Sequence, residues 1–66
     1  MEIKYDAEVD ILRVNWSNDP IEESDETEPG VIFDYNDKGA VIGVEVLNAS
    51  RKIENWQKIQ EITVNK

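Results

Sequence analysis

The sequence predicts an α+β fold: an antiparallel meander of about four strands with one C-terminal helix packed on the sheet. Three observations predict it. The apolar residues, 39% of the chain, are mostly isoleucine and valine, with Leu12 and Leu47 the only leucines. β-Branched side chains are stiff at χ1 and pack well on a pleated surface. Asp10–Trp16 alternates with period two, placing Leu12, Val14 and Trp16 on one side and Ile11, Arg13 and Asn15 on the other. After Leu47 the spacing changes, and Ala49, Ile53, Trp56 and Gln60 fall on one helical stripe.

Each element follows from local chemistry. Residues 2–5 form a short strand with Ile3 and Tyr5 on one face. Asp6-Ala7-Glu8-Val9 is a turn, because an aspartate side chain can accept a bond from the backbone two residues on. The strand that follows pairs back on the first as a hairpin. Ser17-Asn18-Asp19-Pro20 is a loop. Residues 22–28 hold five carboxylates in seven residues; this is a loop or an exposed edge strand ending at Pro29-Gly30, where charge discourages unwanted sheet pairing. Residues 31–35 are a strand. Asn36-Asp37-Lys38-Gly39 is a tight turn, with a positive φ expected at the glycine. Residues 40–47 form the central strand, in which Gly43 marks a bulge or a close approach. Asn48 or Ser50 caps the helix, which ends near Gln60. The expected core is Leu12, Val14, Ile32, Ile42, Val44, Val46, Ile53 and Trp56.

Composition excludes several classes of function. The chain has 66 residues, one domain over its whole length, with no cysteine and no histidine. Disulfides, thiolate chemistry and the commonest neutral-pH acid–base group are therefore missing. A net charge of −8 disfavours a phosphate backbone as partner. No apolar run is long enough to span a membrane, and residues 1–6 lack the pattern of a signal peptide. A cytoplasmic protein without cofactor, nucleic-acid or membrane partner is the expectation. A domain this small buries little surface. Ile11, Val31, Phe33, Tyr35, Val41 and Leu47 would leave one sheet face too apolar for water, so a homodimer is expected.

Two patterns bear on chemistry. Asp34, Asn36, Gly39, Val41 and Glu45 fall at several positions of a calcium-binding helix–loop–helix segment. Lys38 stands where an oxygen ligand is needed, and the flanks are strand-like, so a hairpin explains the spacing better. Asp6, Glu8, Asp10, Asp34 and Glu45 would form an acid–base pair or a metal site if the fold gathered them. Glu45 interrupts the most apolar strand, and Arg13 is its expected partner. The favoured function is a small acidic, non-enzymatic protein-interaction module. The alternative is a carboxylate-based metal-binding or hydrolytic site using Asp6, Asp10, Asp34 and Glu45. A basic partner would meet Glu22, Glu23, Asp25 and Glu26, with Phe33 and Tyr35 as the apolar anchor.

Several segments together resemble a known family: Tyr5–Leu12, Pro29–Tyr35 with the Gly39 turn, Ile42–Leu47, and Ala49-Ser50. They look like the short prokaryotic proteins grouped as domain of unknown function 2283, over about residues 1 to 52. The resemblance implies recurrent positions at Asp6, Asp10, Asp34, Gly39, Gly43, Glu45 and Ser50. Through these it adds Ser50 to the candidate functional cluster Asp6, Asp10, Asp34 and Glu45. It implies no settled activity. Some members are encoded near toxin-like proteins, which suggests an antitoxin-like role.

Overall fold

The computed structural model describes residues 1–56 and 58. Five strands form one sheet: β1 (Glu2–Asp6), β2 (Ile11–Asn15), β3 (Glu23–Glu28), β4 (Val31–Tyr35) and β5 (Val41–Leu47), followed by a one-turn helix α1 (Ala49–Lys52). The order across the sheet is β1-β2-β5-β4-β3, and every neighbouring pair is antiparallel. The α+β class holds, with two refinements. The acidic segment is the fifth strand, on an edge. The sheet is also not one continuous meander: a β1–β2 hairpin joins a β3–β4–β5 meander through the β2–β5 pairing. Residues 16–22 make that crossing, tied at its start by Trp16 N–H to Ile42 O (3.0 Å) and at its end by Glu22 N–H to Tyr35 O (2.8 Å).

Register sorts the side chains into two unlike faces, since alternate residues of a strand point to opposite sides. Tyr5, Leu12, Val46 and Val31 form one cross-strand row, and Ile3, Val14, Val44 and Phe33 the next. Strand alternation continues this face into Met1, Trp16, Ile42 and Tyr35. The opposite face carries Lys4, Arg13, Glu45 and Ile32 in one row, and Glu2, Asn15, Gly43, Asp34 and Ser24 in another. Ile32 is therefore not part of the apolar core as its hydrophobicity suggests. Residues 31–33 are apolar at every position, so alternation there is silent; Asp34, held on the charged face, takes Ile32 with it. Val31, Phe33 and Tyr35 join the helix-side face instead.

Gly43 is required by this packing. A Cβ on it would lie 2.6 Å from Asn15 Oδ1, 3.1 Å from Val14 O and 3.4 Å from Asp34 Oδ2. The register also shifts here, with Asp34 opposite Gly43 but Tyr35 opposite Val41, the bulge expected at this glycine. Gly39 has φ +79° in the β4–β5 turn, where Asn36 Oδ1 accepts from Lys38 N–H and Ala40 N–H, both at 2.9 Å.

α1 is shorter than the periodicity predicts. Ile53 is extended, at φ −105° and ψ 120°, and Asn55 has φ +58°, so no continuous helix runs on from Ala49. Trp56 and Lys58 are helical again, and Lys58 N–H donates to Asn55 O at 2.9 Å. The predicted stripe positions Ile59 and Gln60, and the tail Ile62-Thr63-Val64, lie outside the described residues. Trp56 still packs on the sheet: its ring centroid is 4.6 Å from that of Tyr5, inclined at 67°, a favourable edge-on contact. Lys52 reaches back from α1 to the Pro29 carbonyl. Among the described apolar residues the buried core is only Leu12, Ile42 and Ala49.

The Gly43 geometry yields a direct test. Gly43→Ala should lower unfolding free energy by about 1–3 kcal/mol, because the methyl group displaces Asn15 and crowds the Val14 carbonyl. Urea denaturation followed by tryptophan fluorescence would measure it.

Candidate functional site

The candidate residues fall into two separate arrangements. The first is on the charged face. Arg13 stands opposite Glu45 across β2–β5, with Nη1 3.5 Å from Glu45 Oε1 and Nη2 3.6 Å from Asp34 Oδ2. The expected Arg13–Glu45 pair is thus present, and Asp34 joins it. Asp34 is buried, with 6% of its surface exposed. Ser24 donates its hydroxyl to Asp34 Oδ1 at 2.6 Å. A nearly buried carboxylate needs both supports, because charge removed from water is costly unless paired and hydrogen-bonded. Gly43 leaves the room in which that carboxylate lies. The arrangement binds three strands together: β2 through Arg13, β5 through Glu45, and β4 through Asp34, with β3 attached by Ser24.

The second arrangement centres on Asp10, between β1 and β2. Tyr5 donates its phenol to Asp10 Oδ1 at 2.7 Å. Ser50 donates its hydroxyl to Oδ2 at 2.7 Å and its backbone N–H to Oδ1 at 3.1 Å. Ala49 N–H donates to the Asp10 carbonyl at 3.0 Å. Asp10 therefore caps α1 from another part of the chain. Asn48 takes the cap position in left-handed conformation, φ +54°, without using its side chain, and Ser50 is a donor to the cap rather than the cap itself. Asp10 also has φ +58°, a conformation aspartate tolerates better than most residues. The Ser50 hydroxyl above all, then the Tyr5 phenol, hold the Asp10 carboxyl below the usual aspartate range, with smaller help from Ser50 N–H and the Arg51 charge. The same bond to Asp10 is the main cause that raises the Tyr5 phenol.

Asp6 belongs to neither arrangement. Its Oδ1 accepts from Glu8 N–H at 3.0 Å, the expected turn. The structure does not bring Asp6, Asp10, Asp34 and Glu45 to one point. Asp10 precedes β2 and Asp34 lies level with Asn15 at its far end, two strands away, so the two are about 16 Å apart along the strand direction alone at 3.3 Å per residue. Among the described residues no group of three acidic side chains is placed to hold a metal ion, and no buried side-chain nitrogen or oxygen lacks a partner.

The candidate partner residues lie along one margin. All six residues of β3 are exposed. Glu23 faces Tyr35 and Asp25 faces Phe33 across β3–β4, so two acids flank two aromatic rings on one side. Glu26 is on the other side, where its Oε2 accepts from Gly30 N–H at 2.8 Å. Glu22 precedes the strand. Among the described residues no helix is long and apolar enough to cross a membrane.

A family model described as "Protein of unknown function (DUF2283)" matches residues 2–50. The chain belongs to this family. No curated protein and no solved structure matches it. The DUF2283 match begins at the first residue of β1 and ends on Ser50, so it takes in all five strands and closes on the hydroxyl that holds Asp10. Tyr5 and Ser24 were not foreseen as functional partners. Tyr5 sits in a predicted strand, but its bond to Asp10 depends on the shape of the turn. Ser24 reaches Asp34 only because the acidic segment is a strand in this register, and nothing in its neighbourhood signals that.

The Asp10 bonds set a pH dependence. A carboxyl held below its ordinary value of 3.8 stabilises the fold above that pH, and the contribution disappears as pH falls through the lowered folded-state value. The raised Tyr5 phenol stabilises the fold below 10.0 and ceases to do so as pH rises through its folded-state value. Asp10→Asn should therefore melt below the wild type at neutral pH. The gap should close as pH drops below 3.8, as thermal denaturation across pH 2–8 would show.

Proposed function

We propose that this chain is a small acidic, non-enzymatic interaction module whose β3 margin receives a basic protein. One observation supports the reading above all: β3 is an edge strand, exposed along its entire length. Its outer backbone groups are unpaired among the described residues, and Glu23, Asp25, Glu26 and Glu28 project from it. An extended basic segment could add to this edge as a further strand. Main-chain bonds would give affinity, and opposite charges across the strands would set its register. The stems of its lysine or arginine side chains would lie against Phe33 and Tyr35 while their heads meet Asp25 and Glu23. The same charges deter a second acidic edge, so β3 discriminates by sign.

The carboxylates that a hydrolytic or metal site would need are engaged elsewhere: Asp10 caps a helix, Asp34 and Glu45 hold Arg13, and Asp6 closes a turn. An antitoxin-like role, in which this edge shields the basic surface of a toxin, fits the same chemistry.

Association kinetics decide between this reading and a solvated strand. A partner captured from the native host should bind a variant carrying Glu22→Gln, Glu23→Gln, Asp25→Asn and Glu26→Gln about tenfold more slowly at low salt, with a flattened salt dependence. Glutamine at 26 keeps an acceptor for Gly30. Equal rates for both proteins at low and high salt would show that β3 serves solubility alone.

A further inference from the structure

β3 offers a partner only part of its backbone, and the hydrogen bonds of β4 decide which part. Leu47 N–H donates to the Gly30 carbonyl at 2.8 Å, and Asn36 N–H to the Ala40 carbonyl at 3.0 Å. The even-numbered residues of β4 therefore turn their backbone groups toward β5. Tyr35, whose carbonyl accepts from Glu22 N–H at 2.8 Å, turns toward β3, and Phe33 with it, because successive residues of a strand bond to opposite sides. Asp25 lies opposite Phe33 and Glu23 opposite Tyr35, so these two acids turn their backbone groups to β4. Ser24 and Glu26 turn theirs outward, and among the described residues these two N–H and two C=O groups have no backbone partner. The register shift between Glu26 and Glu28 ends the regular edge.

The side chains sort the other way. Ser24 and Glu26 project on the charged face, and both are engaged: Ser24 donates to Asp34 Oδ1 at 2.6 Å, and Glu26 accepts from Gly30 N–H at 2.8 Å. Glu23 and Asp25 project on the opposite face, and neither is in an ion pair among the described residues. We infer that the segment received by β3 is a short extended strand, antiparallel to it, with lysine or arginine at every second position. This deepens the reading of β3 as the docking edge and rests on it. A strand bonded to Ser24 and Glu26 places its other residues opposite Glu23 and Asp25 in non-hydrogen-bonded pairs. Facing Cα atoms there are about 4.5 Å apart, against about 5.5 Å in the bonded pairs. Charge then meets charge where side chains are closest. A cation one place out of step falls opposite Ser24 or the already bonded Glu26. Two adjacent cations can therefore engage only one of the free acids.

Two peptides of one composition test the phase. Both are threonine strands with two lysines, separated by one threonine in the first and adjacent in the second. Titrated into the full isotopically labelled chain, the first should bind about threefold more tightly, as one additional cross-strand ion pair provides. It should slow amide exchange at Ser24 and Glu26 and leave Asp25, whose amide faces β4, unchanged. Asp25→Asn should erase the preference. Glu26→Gln removes the same charge from the other face and should keep it. Equal binding of the two peptides, or new protection at Asp25 instead of Ser24, would overturn the inference while leaving a basic partner in place. Binding of neither peptide at about 5 mM would overturn both the inference and the reading beneath it.

Discussion

Arg13 stands directly opposite Glu45 in the pairing of β2 with β5, and the character of both sheet faces follows from that register. A slip by one residue would exchange the faces of a strand. Here it would carry Arg13 into the apolar layer and bring Val14 or Leu12 into the charged one. It would also move Asn15 away from Gly43, the one position in β5 without a side chain to collide with it. The ion pairs and the glycine therefore specify the same alignment by attraction and by exclusion. Asp34 extends this alignment to β4, and Ser24 extends it to β3.

The acidic residues divide by role along this framework. Those within the alignment are neutralised or hydrogen-bonded: Asp34 and Glu45 by Arg13, Asp10 by Tyr5 and Ser50. Those on β3 are exposed, and among the described residues only Glu26 is engaged, by a turn amide. A small domain cannot bury much, and this one holds its turns and α1 by polar contacts where a larger protein would use core. The surface left over is an acidic edge. It adjoins the apolar face along β4, whose Phe33 and Tyr35 border both.

Much of this was legible from residue order. Alternation in residues 10–16 predicted β2 and its two faces, and the isolated Glu45 pointed to Arg13. Asp6, Gly39 and Gly43 each marked the backbone feature found there. The misreadings have physical causes. Residues 31–33 are apolar without interruption, so nothing local tells Ile32 from Phe33. Residues 22–28 lack any apolar stripe, and their strand is imposed by pairing with β4. The helix from Ala49 looked continuous because Ile53 and Trp56 keep helical spacing, yet Asn48 and Asn55 turn left-handed and Ile53 is extended. Asp10 read as a turn residue, which it is; its bonds to Ser50 span 40 positions and are visible only in three dimensions. Residue order marks the candidate carboxylates as one cluster; their separation into an Asp10 site and an Arg13–Asp34–Glu45 site depends on strand register.

Backbone NOEs between β2 and β5 test the central alignment most directly. Cross-strand contacts linking Arg13 with Glu45, and Asn15 with Gly43, are the result this account requires. Contacts linking Arg13 with Val44 or Val46 would contradict it, since either would reverse the faces on which every later step depends.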